Sequence, residues 1–388
     1  MLGAESPEHV GMDADVIDLL EQLVAIDSVN PSLVPGAAGE QRIAAAVSQW
    51  ATRAGLRADI VEPTPGRPNV IVRSGRSGDG PTLLLCGHLD TVGLGDVPEP
   101  LTPRVDGDRL YGRGAYDMKA GLAAALVACR EAARDTLSGE VVVAAVADEE
   151  HSSIGVQQVL RDVRADAAIV TEPTELAVAT AHKGFVWIEI NVVGQAAHGS
   201  RPHLGVDAIL KTGPILVALH DLNESLRTRE HAMLGPGSLH ASLIAGGREA
   251  STIPDRCVLT IERRTLPGET VANVERDIAD LLARCRAADS ELNATARTLL
   301  AREPFEIPAS ADIVRTVTDA ATGVLGRPAD LVGVSYWADA AFISAAGIPT
   351  VLFGPDGDGA HADVEWVSIP GTIACAQALT AAARSFCR

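Results

Sequence analysis

Two histidines and a set of carboxylates stand where apolar runs of this chain end. His88 and Asp90 follow the run Thr82–Cys86 in Gly87-His88-Leu89-Asp90. The run 141–147 ends in Asp148-Glu149-Glu150-His151, and the run 167–170 ends in Thr171-Glu172-Pro173. The run 350–353 leads through Gly354-Pro355 to His361. Asp117 closes Gly112-Arg113-Gly114-Ala115-Tyr116-Asp117 just before an Ala- and Leu-rich helix. Alone, each has an ordinary reading: Asp117 as a helix N-cap, His88 and Asp90 as a structural pair, Glu149 and Glu150 as solvated surface, His361 as a loop residue. Their coincidence at strand ends is what points to a site, because ligands of open parallel sheets bind at the carboxyl ends of strands. Nitrogen and oxygen ligands without a thiolate suit a hard or borderline divalent ion, Zn²⁺ first, with Mn²⁺ or Co²⁺ as alternatives. Two histidines and three carboxylates can serve two ions about 3.5–4 Å apart if one carboxylate bridges. The unused acid of the Glu149-Glu150 pair is then free as a general base.

Other chemistries lack their motifs. Gly112-Arg113-Gly114 is not followed by the third glycine of a dinucleotide fingerprint, and no strand leads directly into it. No Walker lysine motif and no Gly-x-Ser-x-Gly elbow occur.

The elements that must position these residues are legible from periodicity. Helical spacing covers 13–27, with Val16, Leu19, Leu20, Leu23 and Val24, and 39–54, with Ile43, Val47 and Trp50. Strands at 70–72, 82–86, 141–147 and 167–170 do not alternate apolar with polar, and helices separate them. That pattern predicts an α/β domain whose mainly parallel sheet carries helices on both faces. Near His182 the texture changes. A partly alternating strand at 186–192, a helix at 206–219, strands at 239–244 and 257–261 and a helix at 271–286 predict a smaller α+β unit with an antiparallel sheet. The α/β texture returns from about Ile313. The expected organisation is a catalytic domain of residues 1–181 and 298–388, interrupted by an insert at 182–297.

Composition sets the frame. At 388 residues, 47% hydrophobic and 21% charged, the chain fits about two globular domains. Its 32 basic against 51 acidic residues give −19, which disfavours phosphate backbones and anionic membrane surfaces. Only Lys119, Lys183 and Lys211 are lysines, so no lysine cluster exists. Six scattered cysteines form no CxxC pair and read as reduced thiols. Met1 to Val10 carries Glu5 and Glu8 and no basic or apolar leader pattern, and no apolar run reaches 18 residues. A soluble cytoplasmic protein is expected.

With those residues in place, the chain resembles the two-zinc deacylase and exopeptidase family of acetylornithine deacetylase, succinyl-diaminopimelate desuccinylase, aminoacylase and glutamate carboxypeptidase. The resemblance runs nearly end to end through GHLDTV at 87–92, GRGAYDMKAG at 112–121, ADEEHSSIG at 147–155, TEP at 171–173, HGSRP at 198–202, RTLPGE at 264–269 and FGPDGDGAH at 353–361. It implies that His88 and Glu172 bind one ion, Glu150 and His361 the other, and that Asp117 bridges both. It implies Glu149 as the general base and Asp90 as the residue behind His88 that fixes its tautomer. It makes the insert a lid that often also dimerises, with His198 stabilising the oxyanion and Arg264 contacting the substrate carboxylate. The implied activity is hydrolysis of the amide bond of an N-acyl amino acid, by a homodimer that binds no nucleic acid and no membrane. A dipeptidase, a carboxypeptidase or an N-carbamoyl amino acid hydrolase is the alternative within the family.

The chain also departs from the pattern. Ser251 precedes Ile253-Pro254-Asp255 where many relatives carry Asn, and His151 replaces a small hydroxyl residue. His151 and His203 read as exposed or supporting residues, and Tyr336-Trp337 as either pocket wall or core. A catalytically silent relative would have lost a ligand or the base, and His88, Asp117, Glu149, Glu150, Glu172 and His361 are all present. A nucleotide-binding oxidoreductase lacks its glycine fingerprint.

Overall fold

In the computed structural model the uninterrupted apolar runs become the centre of a sheet. Strand Thr82–His88 pairs in parallel with Glu140–Val146 on one side and Ala167–Val170 on the other, and Thr350–Leu352 continues in parallel beyond Ala167–Val170. The last three of these strands are buried along their whole length, and Thr82–His88 from Leu83 on, which is why they carry no polar alternation. The margins are antiparallel. A hairpin of Arg57–Thr64 and Arg67–Arg73 lies beyond Glu140–Val146, and Val178–His182 lies beyond Thr350–Leu352. The described residues are 7–75 and 80–388, so the first six residues of the segment read above for a leader lie outside them.

Helices Pro7–Val24, Ala120–Arg134, Asp312–Leu325 and Ile369–Phe386 pack against one another, while Gln41–Arg53 and Ile154–Asp162 pack on the sheet. Helix Gln41–Arg53 buries Ile43, Ala44, Val47 and Ala51, one stripe of an otherwise polar cylinder. Helix Ala120–Arg134 is buried from Ala120 to Ala132, so small residues are needed all round. At Gly121 a Cβ would lie 1.8 Å from the Thr171 carbonyl oxygen. Only glycine lets the helix start so close to the strand end that carries Glu172.

This α/β unit comprises Met1–Thr180, Ile307–Val332 and Ala338–Arg388. The second unit comprises Ala181–Glu306 and Gly333–Trp337. Its antiparallel sheet runs in the order Ser238–Gly246, Arg256–Thr265, Gly184–Val193, Asn293–Arg302. Val186, Ile188, Ile190 and Val192 point inward at every second position and form a core with helices Ala208–Leu226 and Val271–Ala288. The helices start at built caps. Asp207 accepts from the Ile209 and Leu210 amides, and Thr270 with Asn273 forms a capping box. The expected end of the insert at 297 falls inside strand Asn293–Arg302, which pairs with Gly184–Val193 along its length. Among the described residues no helix is long and apolar enough to cross a membrane.

Candidate metal centre

Parallel register collects the chemistry at one edge of the first sheet. His88 is the last residue of its strand and stands opposite Val146, two residues before Asp148. Cys86 stands opposite Val170, two residues before Glu172. Asp117 enters from the turn before helix Ala120–Arg134, and its peptide bond to Met118 is cis. His361 enters from the loop beyond Thr350–Leu352 with φ of 61°, and Asp148 turns its strand end with φ of 69°. Both are left-handed conformations that side chains other than glycine rarely adopt, and such strain concentrates at functional sites.

Two ligand triads result. His88 Nε2 lies 3.1 Å from Asp117 Oδ1 and 3.8 Å from Glu172 Oε1. His361 Nε2 lies 3.3 Å from Asp117 Oδ2 and 2.9 Å from Glu150 Oε2. In each triad the ligating atoms lie within 4.8 Å of one another. Asp117 belongs to both and gives one oxygen to each. Glu149 belongs to neither. Tetrahedral shells with bonds of about 2.0–2.2 Å separate their ligand atoms by roughly 3.3–3.6 Å, so both triads have the span of a divalent ion's shell. The His88 Nδ1 lies 2.9 Å from the Asp90 carbonyl oxygen. A carbonyl only accepts, so Nδ1 donates a proton to it and Nε2 is the nitrogen that faces the triad, where an ion would take its lone pair.

The electrostatics ask for cations. Burial pushes the Glu149 and Glu172 carboxyls well above the ordinary range and raises Glu150 as well, and neighbouring carboxylates add to it. Burial alone would lower the His88 imidazole, but the hydrogen bond to Asp117 and the charges of Glu172, Glu149 and Asp90 hold it well above its usual value. His361 is pushed up to about 10 by Asp117 and Glu150. Burial acts upward on Asp117, yet its bonds to His361 and His88 hold it below the carboxylate range. Two like charges about 4 Å apart repel by about 4 kcal/mol at an effective dielectric of 20, so these carboxylates ionise together only beside cations. Glu150 Oε1 is buried and has no hydrogen-bond partner among the described residues, as a ligand oxygen aimed at an ion would be. The donor set therefore fits two divalent ions.

A buried polar network stands behind the Glu149-Glu150 pair. The Asp90 carboxylate accepts from the Glu149 and Glu150 amides at 3.1 and 3.2 Å and from the Asn30 side chain at 2.7 Å. Its Oδ1 is 3.7 Å from His88 Nδ1, so it is the Asp90 carbonyl, more than the carboxylate, that holds the ring. The second Asn30 amide hydrogen reaches Asp148 at 3.1 Å. Arg67 donates to Asp148 at 2.8 Å and binds both oxygens of the fully buried Glu40. Glu40, Asn30, Arg67 and Asp148 were not singled out by sequence reasoning. No local pattern links them, since the bonds span 27, 81 and 118 residues.

His198 and Arg264 lie in the second unit. His198 is exposed, and its Nδ1 accepts from the Ser200 amide, so the proton sits on Nε2 and that nitrogen is a donor. Arg264 donates from Nε to Glu262 at 2.6 Å and stacks 5.2 Å above the Phe185 ring centroid. Glu262 also accepts from Trp187 Nε1 at 2.7 Å, so the guanidinium is held at one end. Trp337 also belongs to this unit, and its Nε1 donates to the Glu303 carbonyl. His151 is half-exposed and bonded to Ser152, His203 is exposed, and neither belongs to a ligand triad.

Comparison with known proteins places this geometry in company. The profile of Peptidase family M20/M25/M40 matches residues 84–385. The acetylornithine deacetylase of Proteus mirabilis strain HI4320 is 30% identical over 368 residues, covering 91% of this chain and 92% of that protein. Aminopeptidase PepT from Bacillus cereus superposes with a TM-score of 0.80 at 17% identity, over 97% of this chain and 99% of that one. The Bacillus subtilis YXEP protein, described as a dinuclear metal-binding peptidase of the M20 family, superposes with a TM-score of 0.74 at 15% identity, over 97% and 99% of the two chains.

Proposed function

From the premise that this chain belongs to Peptidase family M20/M25/M40, we propose that it is a deacylase that hydrolyses the amide bond of an N-acyl amino acid. It is a metal-dependent hydrolase; the acyl amino acid is the part we add, and the similarity to acetylornithine deacetylases supports it. The observation that carries the mechanism is the division of acids: two triads share Asp117, and Glu149 is left over beside them.

His88, Asp117 and Glu172 would hold one ion and Asp117, Glu150 and His361 the other, with Zn²⁺ the first choice and Co²⁺ or Mn²⁺ alternatives for this nitrogen and oxygen set. When bound, two divalent ions supply Lewis-acid activation of water and of the scissile carbonyl. Glu149 takes the proton of the attacking water and delivers it to the leaving amine nitrogen. Its burial raises its carboxyl, which favours accepting that proton. Asp90 orients Glu149 and Glu150 through their amides. We carry His198 into this reading as the oxyanion donor, which the proton on its Nε2 supports, and Arg264 as the partner of the substrate carboxylate.

We also propose a homodimer through the second unit. Leu210 and Val217 on helix Ala208–Leu226 are 74% and 63% exposed, and Leu243 and Ile244 on the edge strand Ser238–Gly246 are 69% and 57% exposed. A second copy would pair the free edge and cover exposed apolar side chains of this helix and strand. Replacing Leu210 and Leu243 together with glutamate should then give a monomer in sedimentation, and an unchanged mass overturns the assignment. The six buried thiols support a reducing, cytoplasmic setting.

The activity is tested by free-amine release from N-acyl amino acids, dipeptides and N-carbamoyl amino acids, with added Zn²⁺ or Co²⁺ and again after chelation. Chelator-sensitive release from the N-acyl amino acids is expected. Release from the other groups alone overturns the deacylase reading.

A further inference from the structure

Glu365 is 4% exposed, and all four lone-pair positions of its carboxylate are used. Oε2 accepts from Arg113 Nη1 and from the Gly114 amide, both at 2.8 Å. Oε1 accepts from the Tyr116 amide at 2.9 Å and the Asp117 amide at 3.0 Å. The Glu365 carbonyl accepts from the Gly112 amide at 3.2 Å. Arg113, itself 4% exposed, sends its other terminal nitrogen to the Ala362 carbonyl at 2.8 Å, the residue next to His361. One buried ion pair thus ties the turn that carries Asp117 to the loop that carries His361, although Arg113 and Glu365 lie 252 positions apart.

We propose that Glu365 is a positioning residue for the metal centre: with Arg113 it sets the distance between Asp117 and His361, and so the retention of the ions. The proposal rests on the dinuclear reading given above. Asp117 is the shared member of both triads, with Oδ1 at 3.1 Å from His88 and Oδ2 at 3.3 Å from His361. A backbone shift of a few tenths of an ångström at Asp117 therefore loosens both triads at once. Glu365 touches no ligating atom of either triad; it acts through the backbone amide of Asp117, from which the shared carboxylate projects. Partners of this kind, one bond removed from the ligands, typically govern metal affinity by about 10–100-fold.

Glu365→Gln is the informative change because it keeps the size of the side chain. Both oxygens accept from two N–H groups, so a carboxamide must aim its NH₂ at a pair of donors whichever way it is turned. Two of the four bonds are lost and two donors are set against donors. Arg113→Lys keeps the charge but cannot reach Glu365 and Ala362 together.

The test follows metal release from the loaded, full-length protein to a chromogenic chelator at 25 °C, with Asp106→Asn on an exposed strand as control. Wild type should hold two Zn²⁺ per chain. Glu365→Gln and Arg113→Lys should release them at least about tenfold faster, with the fold retained by near-ultraviolet circular dichroism. A purely structural part would lower the melting temperature and leave the release rate unchanged. Release at the wild-type rate from folded Glu365→Gln, or from Arg113→Lys where the first variant does not fold, overturns the proposal. A wild-type chain that holds fewer than two ions overturns the dinuclear reading itself, and the clamp with it.

Discussion

The Asn30 side-chain amide spans 60 residues of sequence to donate to the Asp90 carboxylate at 2.7 Å. Its other hydrogen goes to Asp148, its oxygen accepts from the Ser32 amide at 2.8 Å, and its backbone amide donates to the Thr91 carbonyl. Asn30 is fully buried and fully used, and it joins the two acids that bracket Glu149 and Glu150. A neutral residue is needed there. A lysine would bring a second cation into a site that Arg67 already supplies, and an alanine would strip a donor from each of two buried carboxylates.

Asn30→Ala should therefore destabilise the protein by about 1.5–3 kcal/mol, the range for hydrogen bonds to charged groups. Turnover should fall as well, because Asp90 loses one of three donors that orient it. Urea unfolding together with amine-release kinetics checks both; an unchanged midpoint would show that water replaces the amide.

Arg67 is the cation of the network. Arg67→Met leaves Glu40 and Asp148 buried without their partner and should cost about 3–5 kcal/mol. Adding Glu40→Gln should recover part of that loss, since one of the two stranded charges is gone. A denaturation series on the single and double variants reads the coupling directly.

Glu149→Gln should retain both metal ions and lose about 10²–10⁴-fold in kcat, the usual worth of a positioned acid–base group. Metal analysis and amine release on the same sample separate the two quantities. Turnover near the wild-type level would remove Glu149 as the base.

His198→Ala should lower kcat by about 10²–10³-fold while metal content stays unchanged, as loss of one oxyanion donor does. A drop in KM-controlled binding alone, with kcat preserved, would reassign His198 to substrate binding.

Cysteine chemistry gives a pH prediction. Burial pushes the Cys387 thiol up to about 11, so at pH 8 only about one in a thousand is thiolate. The thiolate fraction rises about tenfold per pH unit below that value, and alkylation of the native protein should rise with the same slope. Rapid labelling at pH 8, read by mass spectrometry, would show that the carboxy-terminal helix opens.

Legibility followed burial. Strands 82–88, 140–146, 167–170 and 350–352 are covered on both faces, so their apolar runs announce them. Arg57–Thr64 is an exposed margin strand with charges along it, and Asn293–Arg302 is an edge strand mostly open to solvent. Neither has a pattern to read, so the expected end of the insert at 297 falls inside the latter. In the centre, the candidate ligands stand at strand ends or in the turn and loop beside them, and motifs mark them. Asn30, Arg67, Glu40 and Glu365 act through long-range bonds, and such bonds leave no periodic trace.

The α/β unit is assembled from three separated stretches, and this orders its construction in time. Synthesis delivers His88, Asp117, Glu150 and Glu172 first, then the whole second unit, and only then His361 and Glu365. Glu172 and His361 are 189 positions apart (361 − 172), so at about 5–20 residues per second the nascent acids wait roughly 10–40 s for their last partners. Until the ribosome reaches that final stretch, the nascent chain can offer a full ligand set for one ion at most.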